Sequence, residues 1–159
     1  MLNIKIICVG KLKESFYIDG AKEYIKRLGA YCRLEIEELP EVRRPAAPTA
    51  GDTERALEKE AELIEERLPK SAYLVAMCIE GKQVDSPGVS QILETAALRG
   101  GRLCFVIGGS DGLHPRIKKR AELMLSMSKM TFPHHMARIM LLEQIYRGFK
   151  ILEGGKYHK

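Results

Sequence analysis

Hydrophobic and polar positions along the chain form two alternating kinds of segment. Short apolar runs predict five strands, Leu2–Val9, Arg33–Leu39, Ala72–Ile79, Leu103–Ile107 and Leu123–Ser128. Apolar residues at helical spacing predict five helices, Glu14–Leu28, Asp52–Leu68, Ser86–Leu98, Pro115–Glu122 and Phe132–Leu152. Strands that alternate with helices in this way predict an α/β domain with a largely parallel sheet.

The only long stretch without either pattern is PEVRRPAAPTAG, residues Pro40–Gly51, which holds three prolines among small residues. It is typical of an exposed loop rather than a linker, because the segment before it is too short for a core of its own. No internal repeat is present. We therefore predict one domain over residues 1–159.

Unusual residues follow three of the predicted strands. The sequences are IEGK over Ile79–Lys82, IGGSDG over Ile107–Gly112 and SKMTFPHH over Ser128–His135. Ligands of open α/β sheets bind outside the carboxyl ends of the strands. If the three strands are parallel, these segments converge on one rim and predict a binding site there.

The glycine-rich segment after the fourth strand does not match a phosphate-binding motif. It lacks the G-x-G-x-x-G spacing, and no G-K-[ST] occurs in the chain, which argues against a nucleotide-dependent oxidoreductase or kinase. Ser110 has no G-x-S-x-G elbow around it. Two readings stay open, a tight turn with glycines at positive φ, or bare backbone against which a flat ring lies.

No metal site is predicted. The side chains of His134 and His135 are adjacent in sequence and diverge on a helix, so we interpret them as polar residues at a helix N-terminus. The four cysteines show no C-x-x-C pair, and we expect free, buried thiols.

The charge distribution favours a polyanionic partner. The net charge is +5, with basic residues concentrated near the N-terminus, around Arg116–Arg120 and after Arg138, whereas Asp52–Glu66 is acidic. No apolar run approaches the ~20 residues needed to span a membrane. We expect a cytoplasmic protein without a membrane segment.

Several segments, taken in order, resemble one known family. They are VGKLKE, IEGK, FVIGGSDGLH, LSMSKMTFPHHMARIMLLEQIYR and the terminal KYHK. In these the chain is similar to the ribosomal RNA large subunit methyltransferase H family of the SPOUT superfamily. The resemblance runs from Ile4 to Lys159 and is weakest through Glu41–Arg67, where no family motif occurs.

The resemblance implies a fold and an activity that residue patterns alone do not show. It implies a SPOUT-type parallel-sheet domain with helices on both faces, a C-terminal deep trefoil knot and a homodimer. It implies that S-adenosyl-L-methionine is the cofactor. The implied reaction is methylation of N3 of a pseudouridine in the helix 69 loop of 23S ribosomal RNA, on assembled ribosomes. Two alternatives remain, a SPOUT methyltransferase for another RNA position and a non-catalytic ribosome-binding module.

The resemblance also assigns residues. The implied cofactor contacts are Met77, Gly108, Met127, Ser128, Lys129, Met130, Thr131 and Phe132. We hypothesise that Tyr157 or His158 of the glycine-flanked tail orients or deprotonates the base, and that Arg138 has a role in the site. Arg138 and Arg147 either face RNA or pair with Glu143. The candidate RNA contacts are Lys11, Lys13, Lys119, Arg147 and Lys159, for which solvated surface charge is the alternative.

Overall fold

The fold is a five-stranded sheet between helices, and the computed structural model describes all 159 residues, Met1–Lys159. The elements in chain order are β1 (Leu2–Val9), α1 (Ser15–Leu28), β2 (Cys32–Leu39), α2 (Ala50–Arg67), β3 (Tyr73–Gln83), α3 (Ser86–Leu98), β4 (Arg102–Ile107), α4 (Pro115–Arg120), β5 (Leu123–Ser126) and α5 (His134–Leu152). The strand order is β2-β1-β4-β3-β5, and every neighbouring pair is parallel. The predicted α/β fold with a parallel sheet is confirmed.

Helices cover both faces of the sheet because the side chains of each strand alternate between two cores. Ile4 and Ile6 of β1 join the core formed with α1, α3 and α5. Ile7 and Val9 of the same strand join the core on the opposite face, against α2 and α4. Phe105 of the central strand β4 is fully buried. None of the helices is long and apolar enough to cross a membrane.

The helices α2 and α5 begin at residues other than the predicted ones, and local hydrogen bonds define the caps of α2 and α3. α2 begins two residues early because Thr49 and Asp52 form a capping box, in which Asp52 N donates to Thr49 Oγ1 over 3.1 Å. α3 begins at Ser86, as predicted, and its cap is Asp85, whose Oδ1 accepts from Gly88 N at 2.8 Å. Pro133 precedes α5, which begins at His134 rather than at Phe132.

The segment IEGK is part of β3, although the sequence predicted a strand end at Ile79. The register of β3 on β5 shifts between Met77 and Lys82, both of which pair with Leu125. A Cβ atom added to Gly81 would lie 2.7 Å from Leu125 N, so glycine permits the close passage of the two strands. β3 therefore continues past the irregularity and carries its residues along the edge of the site described below.

Candidate active site

The carboxyl ends of β3, β4 and β5 surround one cavity of about 730 Å³. This volume lies within the range of roughly 300–1,000 Å³ that is typical of cofactor and small-molecule sites. Most of the lining comes from three segments, Met77–Glu80, Ile107–Leu113 and Leu125–His134. The three strand ends that the sequence pattern selected therefore lie together.

One wall of the cavity is nearly bare backbone, formed by residues 108–112, the glycine turn. A Cβ atom added to Gly108 would lie 2.3 Å from the carbonyl oxygen of Gly112, closer than any side chain permits. Gly112 has a φ of +75°, and its amide donates to Gly109 O over 3.1 Å. The turn folds back on itself so tightly that glycine is required at both ends.

The facing wall is the loop between β5 and α5, which is held by its own serines. Ser126 Oγ donates to the carbonyl of Ser128 over 3.0 Å, and Ser128 Oγ accepts from the amide of Met130 over 3.0 Å. Met130 and Ile79 both line the cavity and are 70% and 52% exposed. Part of the cavity lining is therefore exposed apolar surface.

An ion pair between Lys118 and Glu80 lies on the cavity wall. The hydrogen bond from Lys118 holds the pKa of the Glu80 carboxyl below its ordinary value. Cys78, beside them, is only partly buried, unlike the buried thiols of Cys8, Cys32 and Cys104. Burial, together with the charge of Glu80, raises the pKa of the Cys78 thiol, which is therefore protonated at neutral pH.

The imidazole of His134 also lines the cavity. Its Nε2 atom would lie 3.4 Å from a Cβ atom added to Gly10, so the ring packs against the end of β1. Burial, and next the charge of His135, lower the pKa of His134, which leaves a neutral imidazole that can accept a proton. The sequence pattern indicated only a helix terminus at His134, although the residue belongs to the third strand-end segment, Ser128–His135, which was the available signal.

The sequence of the chain matches the family described as "Predicted SPOUT methyltransferase" over residues 2–158. The chain belongs to the SPOUT methyltransferase family. It is therefore an enzyme, and the cavity at the three strand ends is its candidate active site.

Full-length relatives place this SPOUT methyltransferase more narrowly. It is 43% identical over 159 residues to "Ribosomal RNA large subunit methyltransferase H" of Streptococcus uberis, which covers 99% of this chain and 100% of the relative. The proteins of the same name from Streptococcus thermophilus and Streptococcus pyogenes serotype M5 are 43% and 41% identical with the same coverage. The resemblance found from the sequence is thereby confirmed.

A solved structure shares the fold at low sequence identity. A methylase family protein from Neisseria gonorrhoeae superimposes with a TM-score of 0.52 and 14% identity, over 91% of this chain and 81% of that one.

Seven of the eight predicted cofactor residues of the SPOUT methyltransferase line the cavity. They are Met77, Gly108, Met127, Ser128, Met130, Thr131 and Phe132. Lys129 does not line it and is exposed on the outside of the same loop. No group of three or more His, Cys, Asp or Glu side chains is placed to hold a metal ion.

Arg138 is buried outside the cavity lining, in an ion pair with the partly exposed Glu38. Its guanidinium donates to Glu38 Oε2 over 2.7 Å and to the carbonyl of Gly10 over 3.0 Å. Glu38 also accepts from the amide of Leu12 over 2.9 Å. Of the alternatives left open by the sequence, the ion pair is present, but its partner is Glu38 and not Glu143. Arg138 therefore ties α5 to β2 through Glu38 and to the loop between β1 and α1 through Gly10, since the carboxyl ends of β1 and β2 adjoin.

We expect Arg138→Met to lower the free energy of unfolding by about 2 kcal/mol, because it leaves Glu38 without its cation. The value is discounted because 34% of the Glu38 side chain is exposed. Urea unfolding measures this change in the free energy of unfolding, and a double-mutant cycle with Glu38→Gln gives the coupling energy between the two side chains. Additive effects of the two substitutions would contradict the prediction.

The energy of this pair depends on pH in a defined direction. Burial raises the pKa of the Glu38 carboxyl, but the hydrogen bonds from Arg138 and the Leu12 amide outweigh it and hold the pKa below its ordinary value. A depressed carboxyl pKa gives stability at neutral pH that is lost as the pH falls through the folded-state pKa. The coupling between Arg138 and Glu38 should therefore vanish on acidification.

The C-terminal tail is docked on α5, rather than frayed. The Tyr157 hydroxyl donates to Glu143 over 3.2 Å, and its ring lies 4.9 Å from that of Tyr146. Arg147 pairs with Glu143 over 2.6 Å and lies over the Tyr157 ring at 4.7 Å, with His158 Nδ1 at 3.4 Å from Arg147 Nη1. None of these residues lines the cavity of their own chain.

The other predicted RNA contacts differ in their surroundings. Lys11, Lys13 and Lys119 are exposed and form no ion pair or side-chain hydrogen bond, and Lys159 is exposed at the terminus. Arg147, by contrast, is paired with Glu143. Lys11 and Lys13 follow β1, whose carboxyl end adjoins that of β4 and hence the cavity.

Proposed function

We propose that the protein transfers a methyl group from S-adenosyl-L-methionine to large-subunit ribosomal RNA. The proposed acceptor is N3 of a pseudouridine in the helix 69 loop of 23S ribosomal RNA, on assembled ribosomes. The observation that carries the proposal is the glycine-walled cavity at three strand ends, in a chain with full-length relatives named for large-subunit ribosomal RNA methylation.

The residues of the cavity fit this cofactor. Glycine at position 108 lets a flat adenine ring approach the backbone. A Cβ atom there would collide with the backbone of Gly112 and displace the turn. We propose that the cofactor is held by Met77, Gly108 and the loop 127–132. When bound, the sulfonium supplies a methyl group that is already activated and a neutral leaving group. What remains for the protein is chiefly the alignment of the acceptor with it.

The acceptor N3 carries a proton that must leave during the reaction, so a proton acceptor is expected near it. His134 meets this need from within the cavity wall, as a neutral imidazole. His158 and Tyr157 of the tail are the other candidates, and burial raises the pKa of Tyr157, which leaves His158 as the better acceptor.

The tail does not reach the cavity of its own chain, so we propose that a second copy of the chain completes the site in a homodimer. α5 rises about 1.5 Å per residue, so Glu143, where Tyr157 docks, is about 13 Å along the helix from His134. The neighbouring helices α1 and α5 each carry an exposed apolar side chain, Phe16 at 65% and Met136 at 39%, which a partner subunit could cover.

We also propose the deep trefoil knot of the family in the C-terminal part. The chain passes from β4 beyond β3 to reach β5, and Gly81 permits the close passage of β3 and β5. For the RNA, we propose that Lys11, Lys13, Lys119, Arg147 and Lys159 contact phosphates, which position the substrate without specifying it.

Transfer of labelled methyl from S-adenosylmethionine tests the function directly. Intact ribosomes, isolated large subunits and naked RNA, all from cells that lack the endogenous enzyme, are compared, and the label is mapped by mass spectrometry. We expect label on one helix 69 pseudouridine with intact ribosomes preferred. Label on another nucleotide would show that the acceptor differs from the proposed one. Ribosome binding without any methyl transfer would favour a non-catalytic binding module.

A further inference from the structure

We propose that the loop between β2 and α2 is a clamp that positions the glycine turn of the cavity. The clamp loop, residues 40–49, is the part of the proline-rich stretch that precedes α2, and no family motif occurs in it. Its positioning residues are Glu41 and Arg44, neither of which lines the cavity. The inference rests on the proposed function only in taking S-adenosylmethionine as the ligand.

Glu41 holds the glycine turn from its outer side. Its Oε1 atom accepts from the Ser110 amide over 3.1 Å and from the Ser110 hydroxyl over 2.6 Å. A Cβ atom added to Gly109 would lie 2.7 Å from the same oxygen, so the carboxylate reaches the turn because residue 109 has no side chain. Burial raises the pKa of Glu41, but the bonds from Ser110 outweigh it, and the group stays charged.

Arg44 links the same turn to α2. Its Nε donates to Asp111 Oδ2 over 3.0 Å and its Nη1 to Glu60 Oε2 over 2.7 Å. Glu60 is only 2% exposed and also accepts from the Val42 amide over 2.8 Å. Because the guanidinium is a rigid fork, one side chain fixes both partners at once, which a lysine does not do.

The contacts of the clamp loop matter because the turn has few of its own. All five residues of the turn line the cavity, and three of them are glycines with no side chain to pack. The position of this wall is therefore set from outside, by Glu41 and Arg44. Loss of the outer contacts lets the wall move, and the affinity for the cofactor falls although no residue that touches it has changed.

The test measures the affinity of the full-length protein for S-adenosylhomocysteine by titration calorimetry. Glu41→Ala removes the acceptor, and we expect a dissociation constant about tenfold higher. Glu41→Gln keeps an oxygen in place and should bind within about twofold of the wild type. Arg43→Ala is the matched control, since Arg43 is exposed in the same loop and makes no hydrogen bond or ion pair.

Further measurements separate positioning from a general loss of structure. Arg44→Lys keeps a cation for Glu60 without the fork, and we expect the KM for S-adenosylmethionine to rise while kcat is retained at saturation. Wild-type affinity in both Glu41→Ala and Arg44→Lys would overturn the clamp, as would equal losses in Glu41→Ala and Glu41→Gln. A wild-type protein that binds no S-adenosylhomocysteine would instead overturn the proposed function together with the clamp.

Discussion

Deletion of Tyr157–Lys159 is expected to lower methyl transfer to ribosomes by a factor of about 10²–10⁴, the range that a general acid or base contributes. Binding of S-adenosylhomocysteine should be unchanged, because the tail docks on Glu143 and Tyr146 and lines no part of its own cavity. Single-turnover transfer and titration calorimetry on the same preparations measure the two effects.

Point variants divide this effect among the residues of the tail. Tyr157→Phe keeps the ring against Tyr146 and loses only the hydroxyl bond, whereas His158→Gln removes the titratable group. Lys156→Ala is the matched control on the same exposed segment. Full methyl transfer by the truncated protein would contradict the proposed role of the tail. A loss of transfer that occurs only in His134→Gln would assign the proton acceptor to the cavity wall instead.

Gly108→Ala is expected to weaken binding of S-adenosylhomocysteine by at least about a hundredfold. The new methyl group would lie 2.3 Å from the carbonyl oxygen of Gly112, which belongs to the backbone and has no rotamer by which to move away. The glycine turn must therefore open, and the cavity wall that it forms moves either into the space of the ligand or away from the ligand. Calorimetry measures the loss, and circular dichroism checks that the variant is folded.

A glycine elsewhere in the chain provides the control for this substitution. The nearest atom to a Cβ atom at Gly51 would be the end of the flexible Arg55 side chain, at 3.3 Å, and the Thr49 hydroxyl would lie at 3.8 Å, an ordinary van der Waals distance. Gly51→Ala should therefore bind as the wild type does. Wild-type affinity in Gly108→Ala would show that the turn adapts to a side chain and that its backbone does not form the binding wall.

The element pattern was readable from the sequence because it depends on neighbours along the chain. The alternation of Leu2–Val9 with the helical spacing of the next segment gave β1 and α1 to within a residue or two. The location of the cavity was also predictable, since the carboxyl ends of parallel strands meet at one edge. The identity of seven cavity residues came from the family resemblance and not from periodicity.

The features that only the tertiary structure decided depend on contacts between residues that are far apart in sequence. Arg138 pairs with Glu38, one hundred positions away, and nothing in the local pattern selects that carboxylate over Glu143. The extension of β3 beyond Ile79 depends on β5 lying beside it, a neighbour that only the strand order determines.

The sequence by itself therefore determined the types of element, the parallel sheet and the edge that carries the site, because short-range periodicity encodes them. The tertiary structure decided which side chains meet there, the approach of His134 and the clamp of Glu41 on Ser110 among them. Such pairings follow from how the packed layers bring distant segments together, and a hydrophobic pattern specifies that a face is buried without specifying what lies opposite it.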